Sequence, residues 1–283
     1  MISLSYLAND MRIAFFLLKF INVILSSLII IPAFFLAREF FDDKKSLIIA
    51  IIISVMPSNF SFSGYILAEN LFYPLFLTAF YFVYRSFKED NYKWDVLAGI
   101  FIGLSFLTRA ISLALVFAVI LLFIYLFFKR RARFSNKVIM GLFFILTLLP
   151  WLLRNGMLYG FNLAGFLGIY ASSEANVFNL NFPIFMLSLY WLLVYSVYIL
   201  IACFALLPVL SLSIFADKNL RTYFLLSVFT IIFVKLAAIN HNIYIPWELC
   251  SSEYCNLFYS KVMGRYIDAV LPVIIINGFV GLS

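Results

Sequence analysis

The stretch ISLALVFAVILLFIYLFF (Ile111–Phe128), followed closely by Lys129, Arg130, Arg131, Arg133 and Lys137, decides the fold. A membrane-crossing helix needs about 20 mostly apolar residues, roughly 17–25 with tilt. Ile111–Phe128 reaches that length without a charge, and a basic block then ends it. Inside a bilayer no water satisfies backbone N–H and C=O groups, so a run this apolar is expected to be a helix.

Comparable runs extend in both directions. The candidate spans are Ala14–Leu36, Ser46–Phe60, Asn70–Tyr84, Val96–Leu107, Ile111–Phe128, Val138–Leu153, Pro183–Phe215, Tyr223–Ala238 and Tyr266–Val280. Several are short, and Pro183–Phe215 is too long for one crossing. Composition agrees: 65% hydrophobic residues, 12% charged residues and 35 phenylalanines, with a mean hydropathy of +1.08, argue against a water-soluble globular domain. The expectation is an all-α, polytopic integral membrane protein of about nine spans, with residues 1–283 forming one transmembrane domain.

Basic residues orient the spans. Arg38, Lys44 and Lys45 follow the first; Arg85, Lys88 and Lys93 follow the third. The block from Lys129 to Lys137 follows the fifth, and Lys218 and Arg221 follow the seventh. By the positive-inside rule these gaps are cytoplasmic. The N-terminus and the gaps Ser61–Glu69, Thr108–Ala110, Arg154–Phe182 and Ile239–Arg265 then face outward, and the C-terminus is cytoplasmic. The reading is a multi-pass protein of the plasma membrane. The net charge of +7 is largely topology, and no nucleic-acid partner is expected. Met1–Met11 has neither the basic region nor the separate apolar core of a signal peptide. An outward start reads as a chain that follows an earlier helix, so truncation is expected at the N-terminus, and also at Ser283, where the last span closes.

Polar groups collect at the outward helix ends. Glu69 opens the third span: it is either an acid favoured by the helix dipole or a carboxylate that holds a metal or a substrate hydroxyl. Ionisable groups at membrane depth are costly and usually serve a pathway or site. Arg109 interrupts the apolar run between the fourth and fifth spans, as a snorkelling turn residue or as a fork for phosphate. Arg154 and Asn155 end the sixth span after Pro150-Trp151-Leu152-Leu153. Lys19 lies two helical turns past Arg12, about 10 Å deeper, and can snorkel or face a bundle interior. Arg265 and Asp268 flank Tyr266, with local pairing as the default. Lys235 is read as snorkelling. Cys203 reads as a small buried hydrophobe, Cys250–Cys255 as an allowed disulfide, and His241 as an exposed loop histidine. Signatures of soluble enzymes, such as a P-loop, GxGxxG or HExxH, are absent.

A resemblance joins these points. Ala37-Arg38-Glu39-Phe40-Phe41, Met56-Pro57 and Ala68-Glu69-Asn70 resemble the GT-C membrane glycosyltransferases, the group of the protein O-mannosyltransferases and lipid A aminoarabinose transferases. The likeness continues through Ala98-Gly99-Ile100-Phe101-Ile102-Gly103-Leu104-Ser105-Phe106-Leu107-Thr108-Arg109, Pro150-Trp151-Leu152-Leu153-Arg154-Asn155, and Arg265-Tyr266 before Pro272. It implies transfer of a sugar from a polyprenyl-phosphate carrier to a glycan, lipid or protein acceptor on the outer face, within membrane lipid. Arg109 matches the basic residue after Leu-Thr and implies contact with the donor phosphate. Glu69 matches the acid that opens its helix and is the candidate catalytic group, orienting the acceptor or a divalent cation. Arg154 is a looser match for substrate binding, and Lys19 is added on depth alone. The family's aspartate in the loop after its first helix has no counterpart: Met11–Leu36 resembles the second helix, and Asp10 receives no catalytic role. The alternatives are a transporter with Lys19 and Arg109 lining an anion route, or a non-catalytic scaffold. No internal repeat supports the former.

Overall fold

The computed structural model describes residues 11–57, 59, 67–89, 91–129, 134–162, 165, 182–217, 220–244 and 264–283. These residues form helices and turns. In chain order the helices are α1 (Met11–Ser27), α2 (Ile30–Arg38), α3 (Asp43–Ser54), α4 (Glu69–Glu89), α5 (Tyr92–Thr108), α6 (Leu113–Phe128), α7 (Phe134–Tyr159), α8 (Phe182–Ala202), α9 (Leu206–Leu210), α10 (Arg221–Tyr244), α11 (Gly264–Ile267) and α12 (Leu271–Leu282). Short 3-10 turns at Ala110–Ser112, Ser211–Ala216 and Asp268–Val270 join neighbouring helices. Five helical stretches are long and apolar enough to cross a membrane alone: Arg12–Arg38, Ala110–Phe128, Lys137–Tyr159, Phe185–Ala202 and Arg221–Asn240. Asp268–Leu282 is a shorter apolar helix.

Proline explains two breaks. A proline cannot donate to the carbonyl four residues earlier, and its ring crowds that carbonyl. Pro32 therefore disfavours a regular helix at Leu28, where α1 turns into α2. Pro208 does the same at Phe204, and the long run Pro183–Phe215 divides into α8, a turn, α9 and a 3-10 segment. Phe204 and Ala205 take positive φ in that turn. Pro150, by contrast, is carried inside α7.

α4 is central. Phe72, Phe76, Leu77, Phe80 and Val83 along it are fully buried, against core residues such as Leu36 and Ile53. A helix enclosed by protein is under less pressure to be apolar on every face, which is why α4 tolerates Glu69, Asn70 and Arg85. Lipid-facing helices instead leave Phe16, Ile48, Phe117, Leu142 and Ile145 exposed.

α5 and α7 run side by side in the same direction. Gly99 meets Met140, Gly103 meets Thr147, and the Phe106 ring stands edge-on to Trp151 at 5.8 Å. A Cβ on Gly99 would collide with the Met140 carbonyl, and one on Gly103 would come within 2.7 Å of Thr147 Cβ. Small residues four apart allow backbones to approach in this way. Gly99→Val should therefore cost about 1–3 kcal/mol by overpacking, read as a lower unfolding temperature in detergent. An unchanged temperature would mean that α5 and α7 are not in this contact.

The basic gaps meet at one end of the bundle. Glu39, after α2, takes hydrogen bonds from Arg85 and Lys88 at the end of α4, both at 2.6 Å. Lys137, early in α7, reaches Asp95 on α5 at 2.8 Å. Tyr223, early in α10, packs its ring 4.5 Å from Phe40 and 5.1 Å from Tyr84. Gaps one, three, five and seven thus share an end, as the alternating charge pattern requires.

Candidate active site

At the opposite end of α4, about 24 Å from Arg85 at 1.5 Å per residue, Glu69 and Arg109 form an ion pair. Local sequence puts each in place. Glu69 is the first residue of α4, where the helix dipole favours an acid. Arg109 sits in extended conformation between α5 and the 3-10 turn (φ −153°, ψ 126°). Thr108 Oγ1 donates to Ser105 O at 2.6 Å, and the hydroxyls of Ser105 and Ser112 bond each other across the turn. The chain reverses there, so the arginine is fixed rather than trailing from a loop.

The pair is asymmetric. The Glu69 side chain is 1% exposed, whereas Arg109 is 22% exposed. One Nη of Arg109 donates to Glu69 Oε1, and the guanidinium lies 5.6 Å from the centroid of the Tyr266 ring. Five N–H donors in a fixed fork leave capacity for an oxyanion on the open side. Beside Glu69, Asn70 donates to Asn22 Oδ1 at 3.0 Å, and Asn22 donates to Leu18 O at 2.9 Å. This ties α4 to α1.

A second carboxylate, Asp268, is buried just past Tyr266. It accepts a hydrogen bond from the hydroxyl of Tyr198 on α8. Tyr73, one helical turn past Glu69 on α4, is buried. Local pairing with Arg265 was the expectation for Asp268; among the described residues, a tyrosine 70 positions away donates to its carboxylate. The Arg265 side chain lies outside the described residues. No group of three His, Cys, Asp or Glu side chains that could hold a metal ion converges among the described residues.

The other candidates fall elsewhere. Arg154 lies three residues beyond Trp151, as Arg109 lies three beyond Phe106, so the two arginines share a level; Arg154 is nevertheless exposed. Lys19 is also exposed, with Nζ 4.8 Å from the Phe15 ring centroid. Lys235 is half-buried and donates to Ser196 Oγ at 2.7 Å. Cys203 is a buried free thiol. Asp10, Cys250 and Cys255, and the side chain of His241, lie outside the described residues.

An apolar helical bundle with a charge pair at one boundary defines a membrane protein with a polar cluster at one end of its helices. Residues 5–153 match the dolichyl-phosphate-mannose-protein mannosyltransferase family. The chain belongs to that family, and is a membrane-embedded glycosyltransferase of the GT-C type. No curated protein and no solved structure matches it. The matched stretch includes Glu69, Arg109 and Lys19, and stops one residue short of Arg154.

Proposed function

We propose that this protein transfers a sugar from a polyprenyl-phosphate carrier to an acceptor hydroxyl on the outer face of the plasma membrane. The anomeric carbon loses its bond to the carrier phosphate oxygen and gains one to the acceptor oxygen; the acceptor proton leaves to a base. Negative charge grows on the departing phosphate, and preorganised donors at that position lower the barrier. The observation that carries the reading is the half-open Arg109 guanidinium, held by buried Glu69 and backed by Tyr266.

Burial changes the part given to Glu69. At 1% exposure it is badly placed to meet an acceptor directly, so it acts as a positioning residue for Arg109. Arg154, exposed at the same level, meets the carrier's phosphate or neighbouring headgroups before the donor seats. Lys19, exposed on α1 beside Phe15, is given no part in the reaction.

The test is a paired assay in proteoliposomes. Radiolabelled polyprenyl-phosphate mannose is supplied with a serine/threonine-rich peptide, and uptake of labelled sugar and of phosphate is followed in parallel. Label in the peptide, falling about tenfold or more in Glu69→Gln through kcat rather than KM, is the expected result. Uptake without transfer would replace the enzyme by the transporter reading.

A further inference from the structure

Lys235 lies beyond the family match and takes no part in the contacts of Glu69 and Arg109. Three other cations of the bundle pair with carboxylates: Arg85 with Glu39, Arg109 with Glu69 and Lys137 with Asp95. Lys235 is given a hydroxyl. Its Nζ donates to Ser196 Oγ at 2.7 Å, and the Ser196 hydroxyl donates in turn to Leu192 O, also at 2.7 Å. An ammonium carries three donors, and no carboxylate pairs with this one among the described residues. A cation at membrane depth costs several kcal/mol on most scales unless an anion or water meets it.

The depth follows from packing. The Phe233 ring on α10 lies 5.6 Å from that of Phe117 on α6. Phe117 is eight residues below Arg109 and Lys235 two above Phe233, which sets the Lys235 backbone about 9 Å below Arg109. Exposed Leu192, Leu193 and Val197 on α8, with Ile232 and Leu236 on α10, surround the site with apolar surface. A bare phosphate ion has no reason to leave water for this apolar surface, whereas a phosphate that carries its own hydrocarbon does.

We propose that Lys235 and Ser196 form a binding site for the phosphate group of a membrane lipid, seated between α8 and α10 with its chain along those apolar residues. Resting on the proposed function, the lipid is the polyprenyl-phosphate carrier, and Lys235 holds it one step from Arg109. The ammonium supplies the charge and the N–H donors not given to Ser196, as in other charge-assisted phosphate contacts, while Ser196, whose own hydroxyl donates to Leu192 O, holds the ammonium in place.

The experiment uses the full chain purified in detergent, with undecaprenyl phosphate as the probe and bound lipid measured by native mass spectrometry. Phosphatidylglycerol, undecaprenol and inorganic phosphate are run as competitors. Lys235→Gln should weaken undecaprenyl phosphate binding about tenfold, and Lys235→Arg should restore most of it. Neither undecaprenol nor inorganic phosphate should compete. Equal affinity in the parent and Lys235→Gln, with both variants unfolding at the parent's temperature, overturns the site. Binding lost in Arg109→Ala but kept in Lys235→Gln removes this proposal and leaves the transferase reading standing. Phosphatidylglycerol that competes equally, and is lost equally in Lys235→Gln, keeps the phosphate site but removes the carrier as its ligand.

Discussion

Arg109→Ala is expected to lower kcat/KM for sugar transfer by about 10²–10³-fold, the loss typical of removing one preorganised donor from a developing oxyanion. The arginine is the partly open member of its pair, 22% exposed against 1% for Glu69. A complication is that removing one member of a buried ion pair commonly costs about 3–5 kcal/mol, because the other charge loses its counter-ion. Lost activity could then be lost fold. Two further variants separate the causes. Arg109→Lys keeps the charge and gives up the planar fork, so it should hold the fold and recover a small part of the rate. The double variant Arg109→Ala with Glu69→Gln removes both charges, and should regain stability without regaining transfer. Unfolding temperature and single-turnover rate, measured on all four proteins, decide the matter. A double variant that transfers sugar at the parental rate would show that the guanidinium serves folding alone.

Which parts of this arrangement were legible in the sequence depends on the range of the physics involved. Arg109 and Glu69 stand out because a charge interrupting an apolar run is costly wherever it ends up. Their pairing does not, since 40 positions separate them and no local period links them. Asp268 was read with its neighbour Arg265, and nothing in the residues around Tyr198 advertises the hydrogen bond it makes. Lys19 and Arg154 were chosen on depth and helix end. Those criteria fix a level along the bilayer normal and leave the direction round the helix open; both side chains turned outward. Gly99 and Gly103 entered the reading as part of a family likeness, although their spacing already carries a packing argument independent of any family. Pro32 and Pro208 could have located the breaks at Leu28 and Phe204. The alternation of basic gaps was the most robust signal, since it depends on side of the membrane rather than on partner choice. The contacts of Glu39, Lys137 and Tyr223 gather those gaps at one end.

The largest effect on stability is expected at that end. Asp95→Ala or Lys137→Ala alone should cost about 3–5 kcal/mol. The two side chains are 0% and 7% exposed. Lys137 Nζ reaches Asp95 Oδ1 at 2.8 Å, Ser86 O at 2.9 Å and Ser86 Oγ at 2.6 Å. Ser86 in turn donates to Asp95 at 2.6 Å, so α4, α5 and α7 share one knot. Position in the first turn of α5 favours an aspartate by only about 0.3–1 kcal/mol, too little to explain a loss of the expected size. The pair itself is not predicted to be the best occupant of the space. Replacing both members together, as Asp95→Leu with Lys137→Met, should recover most of what either truncation loses, because apolar residues of similar volume avoid the desolvation of two ions. Chemical unfolding in detergent of the parent, both single variants and the double variant gives the coupling directly. Single variants within about 0.5 kcal/mol of the parent, the range of ordinary surface substitutions, would place Lys137 in water and undo the packing of α7 against α5 at this end. Sugar transfer per folded molecule should meanwhile stay at the parental level in the double variant, since about 20 Å of helix separates Asp95 from Arg109.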